Sequence, residues 1–267
     1  MEAVEAEVYR IPLVIRKIDD VDRSGNWLRQ GWEDFLATPR ISLIYGGTFA
    51  LISLALTFGL FSTGLSSLVL PLAGGFVIMA PVLVVGLYDV SRRREMGLDV
   101  TLRDVLGTFA IHAAQLSAMG IVLMLCFWIW VETALVLFMG IFHAAPPPLE
   151  TFVTDVVFSA NGAVLLIIGS LFGAVFGAVI FSITAVSVPL IFDRPIDVVS
   201  AITTSMRAVR ENWRLMFGWA ALIVLVLGCG MIIAFLGLAV ALPVLAYATW
   251  HCYRDVIDTT ATAAPTP

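Results

Sequence analysis

Residues 66–94, SSLVLPLAGGFVIMAPVLVVGLYDVSRRR, form an apolar stretch that ends in three consecutive arginines. A helix needs about 20 apolar residues to cross a hydrocarbon core of roughly 30 Å. Residues 66–88 satisfy that length, and arginines directly after such a run are typical of the cytoplasmic end of a span. This stretch therefore predicts a membrane-spanning helix, and the same two criteria can be applied to the rest of the chain.

The composition of the whole chain is that of a membrane protein. Hydrophobic residues make up 60% of its 267 residues and charged residues only 13%, with a mean hydropathy of +0.98, which is outside the soluble globular range. The net charge of −5 argues against nucleic acid as a partner, because phosphate binding needs a concentrated basic surface. No disulfide framework and no cleavable signal peptide are expected.

Six apolar runs are long enough to cross the membrane, and they pair into three helical hairpins. The predicted spans are 42–61, 66–88, 118–142, 161–186, 215–235 and 238–254. The run 105–143 would be roughly 60 Å long as one helix, so its polar first third is assigned to the cytoplasmic surface, and the last run is divided at Gly237. We predict an all-α polytopic protein with a cytoplasmic N-terminal segment, 1–41, a transmembrane domain, 42–254, and a disordered tail, 255–267.

The basic residues support this count independently. Six of the fifteen Lys and Arg residues precede the first predicted span, four lie between the second and third, four between the fourth and fifth, and one follows the last. The three opposite loops have none. Because cytoplasmic loops collect Lys and Arg, this distribution predicts six spans with both termini in the cytoplasm.

Two cytoplasmic stretches show helical apolar periodicity but are too polar to cross. The first ends at Pro39, and its apolar positions are Val21, Trp27, Leu28, Trp32, Phe35 and Leu36. The second covers 195–213, with Ile196, Val199, Ile202, Met206, Val209 and Trp213 at steps of three and four. Both match amphipathic helices in the headgroup layer, which either seal the bundle or dock a partner protein.

Glycines recur at every fourth position of the fourth predicted span, at Gly169, Gly173 and Gly177. Glycine at that spacing lets helix backbones approach closely. The predicted use is packing within this chain's own bundle, and contact with a second copy or a partner's helix is the alternative. Gly74 and Gly75 offer the same close approach in the second span.

The chain contains no hydrolase, P-loop or dinucleotide-binding motif, so neither an enzyme nor a cofactor is predicted. Glu132, near the middle of the third predicted span, is a candidate for a relay or ligand site, and a protonated or hydrogen-bonded structural residue is the alternative. His112 and His251 both fall toward the cytoplasmic side on different helices, which is the minimal condition for two haem ligands. Interfacial anchoring is the alternative for both histidines.

Four blocks of sequence resemble a family of predicted bacterial integral membrane proteins of unknown function. They are GWEDFLATP (31–39), LPLAGGFVIMAPVLVVGLYDVSRRREMG (70–97), VSVPLIFDRPIDVVSAITTSMRAVREN (186–212) and ATWHCYRD (248–255). The shared features are a W-x-D-F entry, a P-x-x-x-x-G-L-Y span ending in S-R-R-x-E-x-G, a P-x-x-x-D-R turn and a final T-W-H-x-Y-R.

The resemblance implies a bacterial inner membrane but supplies no reaction. It marks a set of motif positions at the cytoplasmic ends of helices, and Asp89 lies among them. This candidate binding or functional set consists of Tyr88, Asp89, Ser91, Arg92, Arg93, Asp193, Arg194, Trp250, His251 and Arg254.

Three functions are compatible with these observations. The preferred hypothesis is a non-enzymatic accessory or assembly protein for a membrane complex, such as a respiratory one, because motif residues concentrate at cytoplasmic helix ends and no chemistry is encoded. The alternatives are a small-molecule or lipid transporter with a polar cavity open to the cytoplasm, and a haem-binding membrane protein. The expected partners are the lipid bilayer and either another membrane protein or a second copy of this chain.

Overall fold

The computed structural model describes residues 13–20, 22–143, 146–147, 149–152, 154, 156, 158–232 and 235–258. Within these residues the regular structure is almost entirely helical. The helices are α1 (Arg23–Ala37), α2 (Pro39–Ser62), α3 (Val69–Leu83), α4 (Val85–Glu95), α5 (Leu102–Ile111), α6 (Ala113–Phe142), α7 (Leu149–Phe152), α8 (Ala160–Thr184), α9 (Ser187–Asp193), α10 (Val198–Glu211), α11 (Trp213–Ile232) and α12 (Leu238–Val256). Two short antiparallel strands, β1 (Val14–Ile15) and β2 (Ile257–Asp258), pair near the ends of the chain.

Five helical segments in the described part of the chain are long and apolar enough to cross a membrane. They are Pro39–Ser62, Ser66–Glu95, Ala113–Phe142, Ala160–Asp193 and Trp213–Ile232. The first four predicted spans lie within these segments, and the fifth, 215–235, overlaps the last segment up to Ile232, with residues 233 and 234 outside the described residues. The second and fourth segments extend beyond the predicted spans because a further helix, α4 or α9, continues after a short turn. An all-α membrane fold therefore agrees with the structure.

The sixth predicted span is a helix, but it is not among the five segments that are long and apolar enough to cross a membrane. α12 begins at Leu238, directly after the predicted division, and its C-terminal half contains Trp250, His251 and Arg254. These polar residues lower its hydropathy below that of the other five segments. Before α12, Phe235 adopts a left-handed φ of 62° in the turn that follows α11. The six-span arrangement remains a prediction.

The chain divides into two compact units. The first unit comprises residues 1–50, 81–119 and 182–267, and the second comprises residues 51–80 and 120–181. All fifteen Lys and Arg residues of the sequence fall within the ranges of the first unit. The division therefore separates a unit that contains every Lys and Arg from one that contains none.

α12 is the central helix of the first unit, and most of its residues are buried. α1 packs directly on it, since an ideal Cβ placed on Gly31 would lie 2.5 Å from the Val244 carbonyl oxygen. Trp27 is fully buried and meets Trp219 edge to face, with ring centroids 5.7 Å apart. Part of the apolar face predicted for α1 is thus covered by protein, whereas Trp32 is exposed.

The two terminal segments of the described chain are bound to each other within the first unit. Besides the pairing of β1 with β2, the Arg16 N–H donates to the Val256 carbonyl oxygen at 2.8 Å. The buried Asn212 side chain accepts from the Ile18 N–H at 2.8 Å and donates to the Arg16 carbonyl oxygen at 3.0 Å. These bonds hold the N-terminal segment beside the end of α12.

The predicted disordered tail, 255–267, begins within the described residues. α12 runs to Val256 and β2 follows, so residues 255–258 have regular structure. The sequence did not reveal the partners that fix them, because those partners lie at the other end of the chain. Residues 259–267 lie outside the described residues.

The second predicted amphipathic stretch corresponds to α10. The side chain of Asp197 accepts a hydrogen bond from the Ser200 N–H at 2.9 Å and caps the helix start. Small residues of α10, Ala201, Ser205 and Ala208, face inward and are buried. A position of α1 or α10 in the headgroup layer stays a prediction.

The second unit is built from close contacts between apolar helices. An ideal Cβ on Gly74 would lie 2.7 Å from the Trp130 indole nitrogen, and one on Gly75 would overlap the Phe127 ring. These two glycines therefore permit the close approach of α3 and α6. Trp130 also stacks on Phe172 of α8, with ring centroids 6.2 Å apart.

Candidate functional site

Polar side chains of α1, α4 and α12 meet around a buried carboxylate, Asp34, which is only 7% exposed. The Ser91 hydroxyl and the Arg94 guanidinium both donate to this carboxylate. His251 Nε2 lies 2.9 Å from Asp34 Oδ2. The carboxylate thus joins three helices that are far apart in sequence, and we call these four residues the Asp34 cluster.

Glu95, at the end of α4, continues the cluster on the other side of the His251 ring. Its carboxylate accepts a hydrogen bond from Trp250 Nε1 at 3.0 Å and pairs with Arg254 at 3.3 Å. His251 Nδ1 lies 3.8 Å from Glu95 Oε1. Both ring nitrogens of His251 therefore face carboxylates.

Asp89 forms a second buried centre of charge on α4. It is 2% exposed, and its two oxygens pair with Arg92 at 2.7 Å and with Arg93 at 2.8 Å. Residues three and four apart share one face of a helix, which explains how one aspartate binds both arginines. Arg93 also reaches Asp104 of α5 at 3.4 Å. This contact links α4 to α5.

Aromatic rings fill the space between these charged groups. Trp250 meets Phe192 edge to face at 5.7 Å and stacks on Tyr88 at 6.5 Å between centroids. The Arg92 guanidinium carbon lies 4.6 Å from the centre of the Phe192 ring, which is a cation–π distance. The site is therefore packed by rings and ion pairs rather than open.

Asp193, at the end of α9, attaches that helix to α12. Its carboxylate accepts a hydrogen bond from the Tyr253 hydroxyl at 2.6 Å, and Arg194 lies 3.5 Å away. A charge-assisted hydrogen bond of this kind is stronger than one between neutral groups. The Asp193–Tyr253 contact therefore fixes the end of α9 against the central helix.

Asp255, one turn beyond His251, binds the start of α1. Its carboxylate accepts from Arg23 Nε and from Trp27 Nε1, each at 2.7 Å. Partial burial raises the pKa of Asp255, but the hydrogen bonds from Arg23 and Trp27 outweigh it, so the pKa lies below its ordinary value. The folded protein therefore favours a charged Asp255.

The arrangement as a whole is suited to holding helices together. Every carboxylate named above has a basic or hydrogen-bonding partner, as buried charges require. Within the described residues, no group of three or more His, Cys, Asp or Glu side chains is placed to hold a metal ion. Removing one member of a buried ion pair typically costs about 3–5 kcal/mol, so these contacts are structurally important.

The motif positions predicted from the sequence come together in the first unit. All of them lie within the contacts described above: Tyr88, Asp89, Ser91, Arg92, Arg93, Asp193, Arg194, Trp250, His251 and Arg254. Glu132 is not among them. It is exposed on α6, where Trp128 Nε1 donates to it at 3.2 Å.

The two histidines considered as haem ligands make contacts within the protein. His112 Nδ1 lies 3.2 Å from the Thr108 carbonyl oxygen, and its ring packs against Phe192 at 5.3 Å. His251 is held between two carboxylates. Nothing in these contacts supports haem binding.

The glycine ridge of α8 has few neighbours. An ideal Cβ on Gly169 or Gly177 would meet no atom within 4 Å, and one on Gly173 would lie 3.7 Å from the Trp130 ring. Packing inside the bundle, which was the predicted use, therefore finds no support among the described residues. The ridge is open along most of its length.

Sequence reasoning did not select several residues that carry the site. They are Asp34, Arg94, Glu95, Tyr253, Asp255 and Asn212, although all lie inside the motif blocks. A signal for Asp34 was present, because it falls seven residues after Trp27 and three after Gly31, on the apolar side of α1. An acidic residue on an apolar helix face needs a buried partner.

The chain was also compared with known proteins. Residues 69–193, from α3 to α9, match a family model described as "Predicted integral membrane protein (DUF2189)". No curated protein and no solved structure matches the chain. The matched region includes Asp89 and Glu95 but neither α1 nor α12. Together with the apolar helices, this similarity supports an integral membrane protein.

Proposed function

We propose that this protein is a non-enzymatic accessory or assembly protein that holds a helix of a partner in the membrane. The observation that carries the proposal is the open glycine ridge of α8. Gly169 and Gly177 have no neighbour within 4 Å of the Cβ position, and glycines at this spacing allow two helices to approach closely. The partner helix belongs either to another membrane protein or to a second copy of this chain.

The internal pairing of the polar site supports the same proposal. Asp34, Asp89 and Glu95 are each bound by cations of the same unit. Such paired charges stabilise the packing of the helices as a scaffold. A transporter with a polar cavity would need open space at these charges, and the rings of Trp250 and Phe192 fill it. The accessory function is therefore preferred.

The experiment that tests this function is purification from native membranes in a gentle detergent. The wild-type chain is expected to retain a stoichiometric partner or a second copy. In a Gly169→Leu/Gly177→Leu variant, the amount of co-purified partner or second copy is expected to fall about tenfold or more, because the added side chains keep the helices apart. Gly140→Leu is the matched control, since Gly140 also has an open Cβ position.

Two results would reject the proposal. One is a wild-type protein that is monomeric and free of any stoichiometric partner. The other is a double variant that retains as much partner as Gly140→Leu. An unchanged thermal unfolding midpoint shows that the variants are folded.

We further propose that the chain crosses a bacterial inner membrane six times with both termini in the cytoplasm. The pairing of Val14–Ile15 with Ile257–Asp258 supports an even number of crossings, because it requires both ends on the same side. α12 has 19 residues and α11 has 20, so α12 is long enough to return the distance that α11 crosses. The one-sided basic residues favour the cytoplasmic side.

Labelling of single cysteines with a membrane-impermeant maleimide tests this topology. With Cys126, Cys229 and Cys252 replaced, a cysteine at Thr63 is expected to react in intact cells. One at Asp99 is expected to react only after the membrane is opened. The reverse pattern, or a label at Asp258 from outside, would contradict the arrangement.

A further inference from the structure

The Lys and Arg residues of the first unit that the structure describes fall into two groups. One group has a carboxylate within 4.0 Å and consists of Arg16, Arg23, Arg29, Arg92, Arg93, Arg94, Arg194, Arg207 and Arg254. For the other group the described part of the chain offers no carboxylate at that distance, and its members are Lys17, Arg40, Arg103, Arg210 and Arg214.

Two of these unpaired arginines lie at the junction of α10 and α11. We call Arg210, Trp213 and Arg214 the elbow. Trp213 is 61% exposed, and the Arg214 guanidinium carbon lies 5.3 Å from the centre of its ring. Arg210, on the last turn of α10, is also exposed. The elbow therefore presents two positive charges and one indole to its surroundings.

Exposed apolar side chains extend from the elbow along both helices. On α10, Val199 is 71% exposed, and Met206 follows seven residues later on the same face. On α11, Phe217 is 73% exposed, and the exposed Val224 follows at the same spacing. Small residues on the opposite face of α10 are buried. The elbow thus joins two apolar surfaces that no described residue covers.

α11 is one of the segments apolar enough to cross a membrane, and it begins at Trp213. The first residues of a helix that crosses a membrane lie at the level of the lipid headgroups, where tryptophan and arginine are enriched. We propose that the elbow binds the phosphate of an anionic glycerophospholipid. Arg210 and Arg214 contact the phosphate, Trp213 lies beside the glycerol, and the exposed residues of α11 contact the acyl chains.

This lipid site is independent of the glycine ridge and rests only on α11 crossing the membrane. Charge complementarity favours a lipid over an apolar protein surface, because the stripe of exposed residues contains unpaired arginines. Arg207 lies on the same helix but pairs with Glu211 at 2.7 Å. Arg207→Gln therefore removes one positive charge, as Arg210→Gln does, but the charge that it removes is already paired with a carboxylate.

Native mass spectrometry of the full-length protein in detergent can test the proposal by titration with phosphatidylglycerol or phosphatidylcholine. Each basic residue near an anionic surface adds roughly a fivefold gain in affinity. Phosphatidylglycerol binding is therefore expected to weaken about fivefold in Arg210→Gln or Arg214→Gln and about thirtyfold in the double variant. Arg207→Gln is expected to retain binding within about twofold.

Three outcomes would overturn the proposal. The first is a loss of phosphatidylglycerol affinity in Arg207→Gln as large as that in Arg210→Gln, and the second is wild-type binding of phosphatidylcholine as tight as that of phosphatidylglycerol. The third outcome is that glycerol phosphate without acyl chains competes as well as phosphatidylglycerol does. The last would identify a free phosphate site instead of a lipid site. An unchanged thermal unfolding midpoint shows that each variant is folded. Wild-type affinity for phosphatidylglycerol in the folded double variant also counts against the site.

Discussion

The two compact units of this protein are stabilised by different kinds of contact. The first unit contains every Lys and Arg of the chain, and its helices are joined by ion pairs around Asp34, Asp89 and Glu95. The second unit contains no Lys or Arg, and its helices meet through glycines against aromatic rings, as at Gly75 and Phe127.

The difference follows from the contacts available to each set of side chains. An apolar helix gains little from burying apolar surface inside lipid, so its packing depends on close van der Waals contact. A buried charge, in contrast, requires a specific partner and fixes the neighbouring helices in one register. Substitutions should therefore affect the two units to different degrees and in different ways.

The largest effect is expected from Asp34→Ala. The substitution leaves Arg94 and His251 without their buried carboxylate, which typically costs about 3–5 kcal/mol. Thermal unfolding in detergent measures the change. Glu33→Ala is the control, because Glu33 forms only an exposed pair with Arg29. Equal unfolding midpoints for the two variants would show that the Asp34 cluster does not stabilise the protein more than an exposed ion pair does.

An intermediate effect is expected from Gly75→Ala in the second unit. The added methyl group overlaps the Phe127 ring, and overpacking of this kind costs about 1–3 kcal/mol. Gly140→Ala should be neutral or slightly stabilising, since its Cβ position is open. The comparison uses the same unfolding measurement. A neutral Gly75→Ala would show that the second unit adjusts more readily than the first.

A smaller, pH-dependent effect is expected from Asp255→Asn. The pKa of Asp255 is lowered in the folded state, so its contribution is complete above the ordinary aspartate range and is lost as the pH falls through the folded-state pKa. We expect the variant to be about 1–2 kcal/mol less stable near pH 6. The difference from wild type should shrink toward pH 3, and a constant difference would contradict this assignment.

The smallest effect is expected from Glu132→Gln. Glu132 is exposed on α6 and bonds only to Trp128 of its own helix among the described residues. The unfolding midpoint and the amount of co-purified partner should both remain unchanged. A clear loss of either would restore Glu132 as a functional residue and would place a polar site in the second unit.

Apolar length and the positions of arginine were sufficient to predict the helical membrane fold. The first four predicted spans lie within helical segments of the structure and the fifth overlaps one, because crossing a bilayer imposes a length that is visible in the residue pattern. α12 was more difficult, since its C-terminal half combines Trp250 and His251 with apolar residues. Its burial by α1 is a tertiary property that periodicity does not reveal.

The sequence by itself determined the motif blocks in which the site residues lie, but neither the full set of those residues nor how they are paired. Asp34 and His251 are 217 residues apart, and Arg23 and Asp255 are 232 apart. Such contacts exist only after α1 folds against α12. The contacts of the arginines also depend on folding, and the sequence does not distinguish one arginine from another. Only the tertiary structure decided which of them neutralise buried carboxylates and which remain available at the surface, because that choice depends on neighbours brought together by folding.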